Sequence, residues 1–218
     1  MKQDDAPIGF WFGQLKHLVF ASILLAMTCL LWAYLGAPYP AVFWAAVIVP
    51  IAHQVFVWLS WRIALRVSDE RKSAFFKPYI AGFFLLFSGR FMSLFVLAYL
   101  DRGSLNLSTG LAATLAGACL VLGVYAMYSV RRYFGMRRAA GADHFESRFR
   151  QMPFVKQGIF RFTSNAMYVY AFLLFWAIAL SFNSAAALVV AAFSHLYIWV
   201  HYFCTEKPDM DFIYGSNN

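Results

Sequence analysis

The chain has 218 residues, of which 62% are hydrophobic and 13% charged, and its formal net charge is +8. That composition leaves too little polar surface to cover a soluble domain, so a membrane protein is expected. The positive surplus is explained by membrane orientation and anionic lipid and calls for no nucleic-acid partner.

Residues 1–5 are polar and acidic, without the basic start and small-residue cleavage site of a secretory signal, so the first apolar run is expected to be retained. That run, residues 18–35, is uncharged, as are residues 37–61 and 103–130, and each reaches the roughly 18–20 residues that cross a hydrocarbon layer. Residues 78–100 form a further span with one intruder, Arg90. No charged residue occurs from 162 to 205, about twice one crossing at ~1.5 Å rise per residue. This stretch is expected to be a hairpin bent at Ser181-Phe182-Asn183-Ser184, with arms over residues 166–180 and 185–203. The fold class is therefore an all-α polytopic bundle of about six transmembrane helices.

In that topology every lysine and arginine falls on one side, except Arg90 within a span and Arg102 on the other side. Basic loops stay cytoplasmic, so both termini are expected in the cytoplasm, of a bacterial inner membrane or of the endoplasmic reticulum. Cys29, Cys119 and Cys204 fall in or at the ends of spans with no CxxC pairing, and free thiols without a metal site are expected.

Polar chemistry concentrates at four places, apart from one stretch of small residues. The small residues Gly110, Ala113, Gly117 and Gly123 either let helices pack closely or make room for a ligand. Residues 131–150 mix basic pairs with aromatics and include His144; they read as an interfacial segment, or as a phosphate site using Arg131, Arg132 and the nearby Tyr128. Arg90 has no acidic partner in any predicted span and needs carbonyls, water or an anionic headgroup, whereas His53 reads as a packing residue. At residues 158–170, Gly158, Arg161 and the run Thr163-Ser164-Asn165 suit either helix capping or an anion at a helix start.

The last helix carries the fourth cluster. With ~100° per residue and His195 at 0°, Trp199 falls near ~40°, Tyr202 near about −20° and Glu206 near ~20°, a single stripe. An aromatic belt at the interface explains the two rings, while an imidazole and a carboxylate framing them suit a flat, cationic or hydrogen-bonding ligand. Pro208 ends the helix.

Together, Asn165-Ala166-Met167-Tyr168 after Arg161, Glu206-Lys207-Pro208 past the final helix, and Gly123 followed by Tyr133-Phe134-Gly135 resemble the integral-membrane methyltransferases that include phosphatidylethanolamine N-methyltransferase and isoprenylcysteine carboxyl methyltransferase. The resemblance covers about residues 115–215 and is nearest the phospholipid branch. It divides the chain into a three-span region, residues 1–102, and a methyltransferase-like core, residues 103–218. It implies S-adenosylmethionine as cofactor, held through Gly123, Arg161, Asn165, Met167, Tyr168, His195, Trp199, Tyr202 and Glu206, with a membrane phospholipid arriving laterally near Arg90, Tyr128, Arg131 and Arg132. Two positions depart from the family pattern: Ala166 stands for a proline and Lys207 for a second acidic residue.

Methylation of an amine needs its proton removed first, and His201, Glu206, Asp209 and His144 are the candidates for that task. A prenylcysteine carboxylate or another hydrophobic acceptor is an alternative, as is a non-catalytic relative marked by Ala166 and Lys207. The N-terminal region is expected to shape lipid access or the contact of a homodimer.

Overall fold

The computed structural model describes residues 8–215, and the expectation about residues 1–5 lies outside them. Among the described residues there is no strand, and five helices are long and apolar enough to cross a membrane. α1 (Gln14–Tyr34) and α2 (Pro40–Ala64) follow the sequence closely. α3 (Asp69–Leu100) begins nine residues ahead of the expected span, because Ser68 enters in extended backbone and Asp69 and Glu70 occupy the first turn, where acidic groups complement the helix dipole. Pro78 is thereby inside a helix rather than at its start.

α4 (Thr109–Ser129), capped by Ser108 Oγ, runs on into a π-helical turn at Val130–Phe134. Short helices α5 (Met136–Ala139) and α6 (Ser147–Arg150) and two 3-10 turns, Ala142–His144 and Gly158–Arg161, make up the basic segment. The hairpin starts with a second π-helical turn, Met167–Ala171, and continues as α7 (Leu173–Ser181). α8 (Ala185–His201) returns, passes through a third π-helical turn, Tyr202–Glu206, and ends in α9 (Lys207–Tyr214). The Met167–Ser181 arm is shorter than the five spanning helices.

The hairpin bends where the turn-forming residues stand. Asn183 takes φ 52°, a left-handed conformation that asparagine tolerates, and Ser184 Oγ caps α8 by accepting from Ala187 N at 3.1 Å. Asp101, at the end of α3, locks this bend: its carboxylate accepts from Ser104 Oγ at 2.6 Å, Ser184 Oγ at 2.7 Å and Ala186 N at 2.9 Å. Two backbone bonds, Gly103 N to Phe182 O and Leu105 N to Asn183 O, both 2.9 Å, complete the knot.

Leu15, Leu18, Leu30, Leu85 and Val121 project outward, as side chains facing lipid do. Lipid tails are as apolar as leucine, so helix association rests on close packing more than on transfer from water. α8 accordingly presents Ala186, Ala187 and Ala191 to Phe43, Leu94, Leu97 and Phe175 of the surrounding helices. α1 is joined to α8 by polar contacts, His17 Nε2 with Tyr197 Oη at 3.1 Å and Gln14 Nε2 donating to Thr205 Oγ1 at 3.2 Å. The three cysteines are free thiols.

Candidate functional site

Opposite the Asp101 knot, the ends of α4, the hairpin and α8 meet residues of the basic segment around one space. The result is a cavity of about 820 Å³, within the usual range of ~300–1,000 Å³ for small-molecule sites. Each of the three π-helical turns supplies part of its wall: Phe134 from the first, Met167 and Tyr168 from the second, Tyr202 and Glu206 from the third. A π turn takes one more residue than an α turn and is frequent at functional sites. No propensity pattern in these segments announces it.

Tyr168 and Glu206 meet across the cavity wall, the phenol donating to Oε2 of the carboxylate. The Tyr168 ring is held against Tyr202 at 5.5 Å and Trp199 at 5.9 Å between centroids. Thr163 Oγ1 accepts from Asn165 N at 3.2 Å in the turn ahead of the helix, and Asn165 O accepts from the backbone of Tyr168 and Val169; neither Ser164 nor the Asn165 side chain caps the π turn. The Asn165 side chain lines the cavity.

Charge around the cavity is mixed. Arg138 Nε lies 3.5 Å from Asp143 Oδ1, which also accepts from Tyr214 Oη at 2.7 Å, and Arg138 Nη1 donates to Pro153 O at 3.2 Å. Lys207 turns to Asp211 at 2.8 Å. Lys156 and Arg161 also line the space, and neither has a carboxylate partner among the described residues. The basic groups can therefore accept an anion, while Glu206 and the aromatic rings offer a place for a cation and a flat base.

Behind Tyr168 and Glu206 lies a second, apolar cavity of about 110 Å³. Trp61, Ala139, Met167, Tyr168 and Glu206 face both spaces and form the partition between them. The inner wall carries buried polar side chains from three helices: His53 and Gln54 of α2, Arg90 of α3 and His201 of α8.

A buried ion pair fixes the last helix beneath the site. Arg62 Nη2 and Asp209 Oδ1 are 3.1 Å apart with no side-chain exposure, and His144 Nε2 faces Asp209 Oδ2 at 3.3 Å. Arg62 further donates to Gly9 O at 2.6 Å and Phe12 O at 3.2 Å. The His144 ring stacks on Trp61 with centroids 4.0 Å apart, and Trp61 Nε1 donates to Tyr79 Oη at 2.9 Å. Gly141 permits this approach: its φ is 85°, and a Cβ there would collide with the Trp61 ring.

The residues singled out in the sequence divide into those that meet at the cavities and those that do not. Arg161, Asn165, Met167, Tyr168, Tyr202 and Glu206 line the large cavity, and Arg90 and His201 line the small one. His195 accepts a hydrogen bond from Trp176 Nε1 at 3.1 Å and stacks on Phe172, in the contact with α7, while Trp199 packs on the rings of Tyr168, Tyr202 and Phe203 and is outside the cavity lining. Arg131, Arg132 and Tyr128 are on the exposed face of α4 and its π turn, and His144 is enclosed by Trp61 and Asp209. Arg62, Trp61 and Tyr214 carried no signal in the sequence, since their partners Asp209, His144 and Asp143 are remote along the chain, whereas Arg138 lay within the basic segment already singled out.

Gly123 is buried against α7, where an added Cβ would stand 2.7 Å from Leu174 Cγ. Gly123→Ala is expected to cost about 1–3 kcal/mol through overpacking, read as a lower melting temperature in detergent. Calorimetric affinity for S-adenosylmethionine is expected to stay at the parental value if packing is the whole role of this glycine; a loss of affinity without a melting shift would restore it to the ligand site.

Residues 111–217 match the family described as phospholipid methyltransferase. No curated protein and no solved structure matches the chain.

Proposed function

We propose that the chain, whose residues 111–217 match the phospholipid methyltransferase family, moves a methyl group from S-adenosylmethionine to a membrane lipid, the amine of phosphatidylethanolamine or of its methylated derivatives. The observation that carries this reading is the pairing of Tyr168 with Glu206 on the partition between a large, mixed-charge cavity and a small, apolar one. One space suits a polar nucleoside-like cofactor and the other a group delivered from the membrane.

The donor set fits the cofactor. Arg161 and Lys156 have charge available for a carboxylate, Asn165 offers both donor and acceptor, and Tyr202, Tyr168 and Phe134 present rings to a base. Glu206 supplies the negative charge that a sulfonium or an ammonium requires. When bound, S-adenosylmethionine supplies an electrophilic methyl group.

The chain's own part is positioning and proton handling. Holding an amine in line with the methyl replaces a bimolecular encounter by an intramolecular one, which is the larger contribution. Of the four candidate bases, Glu206 and His201 line the inner cavity, whereas Asp209 and His144 are engaged with each other and with Arg62. Glu206 and His201 are therefore the groups within the acceptor's reach and the two candidates for the base that accepts the amine proton. The excess of basic residues on the side of residues 131–161 supports a cytoplasmic placement of the large cavity and of both termini.

The deciding experiment incubates the purified protein with a total membrane-lipid extract and S-adenosylmethionine labelled in its methyl group. Label in mono-, di- or trimethylated phosphatidylethanolamine is the expected result, and it counts the steps. Label in a lipid lacking an amine would assign a different acceptor, and no label despite measurable cofactor binding would overturn the phospholipid reading.

A further inference from the structure

The inner cavity contains more unsatisfied polarity than packing explains. Arg90 Nε and Nη2, His53 Nε2, and both ring nitrogens of His201 are buried without a hydrogen-bond partner. The three side chains are 3%, 2% and 1% exposed. Arg90 Nη1 reaches His53 Nδ1 only at 3.5 Å, and the guanidinium lies over the rings of Phe172 and Phe175 at 5.2 and 5.4 Å. No carboxylate pairs with it among the described residues.

An arginine inside a membrane bundle costs several kcal/mol unless it is paired, and such a residue is rare outside functional pathways. Unsatisfied buried donors cost about 1–3 kcal/mol each. The missing partner must be an acceptor, it must be small, and it must sit between Arg90 and the two histidines. A space of about 110 Å³ exceeds the ~10–15 Å³ that one water needs and is large enough for a polyatomic group. Its other end is Glu206, so the space is polar at both ends with opposite signs and is walled by Phe83, Phe87 and Val130 between them.

We propose that this cavity is an oxyanion subsite for the lipid acceptor, in which Arg90, flanked by His53 and His201, binds a phosphate or carboxylate group of a hydrophobic molecule whose reacting atom lies at Tyr168 and Glu206. The proposal rests on the methyl-transfer reading for its direction, with the cofactor on the outer side of the partition. A dipolar acceptor then lies with its anion toward Arg90 and its cationic end toward Glu206, which orients it before any chemistry occurs. A neutral lipid of equal length gains nothing from these donors and leaves them unpaired.

The test uses the full-length protein in detergent with four probes: dodecyl phosphate, dodecanoate, dodecanol and inorganic phosphate. The two amphiphilic anions are expected to raise the melting temperature more than dodecanol, the larger rise naming phosphate or carboxylate as the preferred group; a rise with inorganic phosphate of equal size would make the subsite one for free anion and overturn its assignment to a lipid. Arg90→Gln is expected to weaken the better anion at least about tenfold, the equivalent of ~1.4 kcal/mol, while affinity for S-adenosylhomocysteine is unchanged. Equal stabilisation by anion and alkanol in the parent, or an anion preference that survives Arg90→Gln, would overturn the proposal.

Should Arg90→Gln not fold, His201→Phe serves in its place. This histidine has no partner to lose, so an aromatic ring there is expected to be tolerated, and the anion preference is expected to fall; an undiminished preference in His201→Phe would overturn the proposal. Failure of the parent to bind S-adenosylhomocysteine would sink the methyl-transfer reading separately, because anion preference is measured without cofactor.

Discussion

Replacing Glu206 by Gln is expected to weaken S-adenosylmethionine binding about tenfold to a hundredfold, the ~1.5–3 kcal/mol of a charge-assisted contact. The substitution isolates charge from shape. The amide oxygen still accepts from the Tyr168 phenol, so the partition between the cavities is kept, and removing a carboxylate from this partly enclosed position places no new charge in the bundle. The melting temperature without ligand is thus expected to hold or rise while calorimetric affinity falls. Unchanged affinity would take Glu206 out of the cofactor site. A matched fall in stability would instead give it a structural role shared with Tyr168.

A second large effect is expected at Asp209. Asp209→Ala leaves Arg62 charged, fully buried and short of its partner, and breaking such a pair from one side costs about 3–5 kcal/mol. It also frees His144 from its contact under Trp61. The double variant Arg62→Met with Asp209→Leu removes both charges and is expected to recover most of that loss, since well-packed apolar residues replace buried pairs without penalty. Unfolding in detergent, followed through near-ultraviolet circular dichroism, checks both variants. A mild loss in Asp209→Ala would show that the carbonyls of Gly9 and Phe12 suffice to hold Arg62.

The hairpin and the spans were readable from the sequence because hydrocarbon thickness constrains length directly, and because charge is absent over one long stretch, residues 162–205. The entrance of the hairpin was readable through the resemblance: Arg161, Asn165, Met167 and Tyr168 do stand together at the large cavity. The stripe on the last helix was only half informative. His195, Trp199, Tyr202 and Glu206 share a face at ~100° per residue, yet His195 meets α7, Trp199 packs among the rings of Tyr168 and Phe203, and only Tyr202 and Glu206 reach the cavity. Angle places a residue around an axis and says nothing of depth, and the cavity occupies only the end of the helix where the π turn widens it.

The polar groups of the first hundred residues were the least readable. Trp61, Arg62 and His53 lie on one helix, α2, whose composition marks it only as a membrane span, and their significance comes from residues 37 to 148 positions away. A division at residue 102 follows the charge pattern and the resemblance. The cavities themselves draw on both sides of that point, with Trp61 in both linings and Arg90 in the inner one.

The knot at Asp101 makes the helices of the core a pair of tongs. Their joint is at the hairpin bend, where one carboxylate gathers α3, the following loop and the start of α8. Their jaws are the three π-helical turns at the opposite end, with Tyr168 and Glu206 as the points that touch. A small rotation at such a joint becomes a larger separation at the tips, roughly in proportion to the length of the arms. Separation at the jaws, where Trp61, Ala139, Met167, Tyr168 and Glu206 divide the two cavities, would therefore bring those cavities together while Asp101 holds the far end in register.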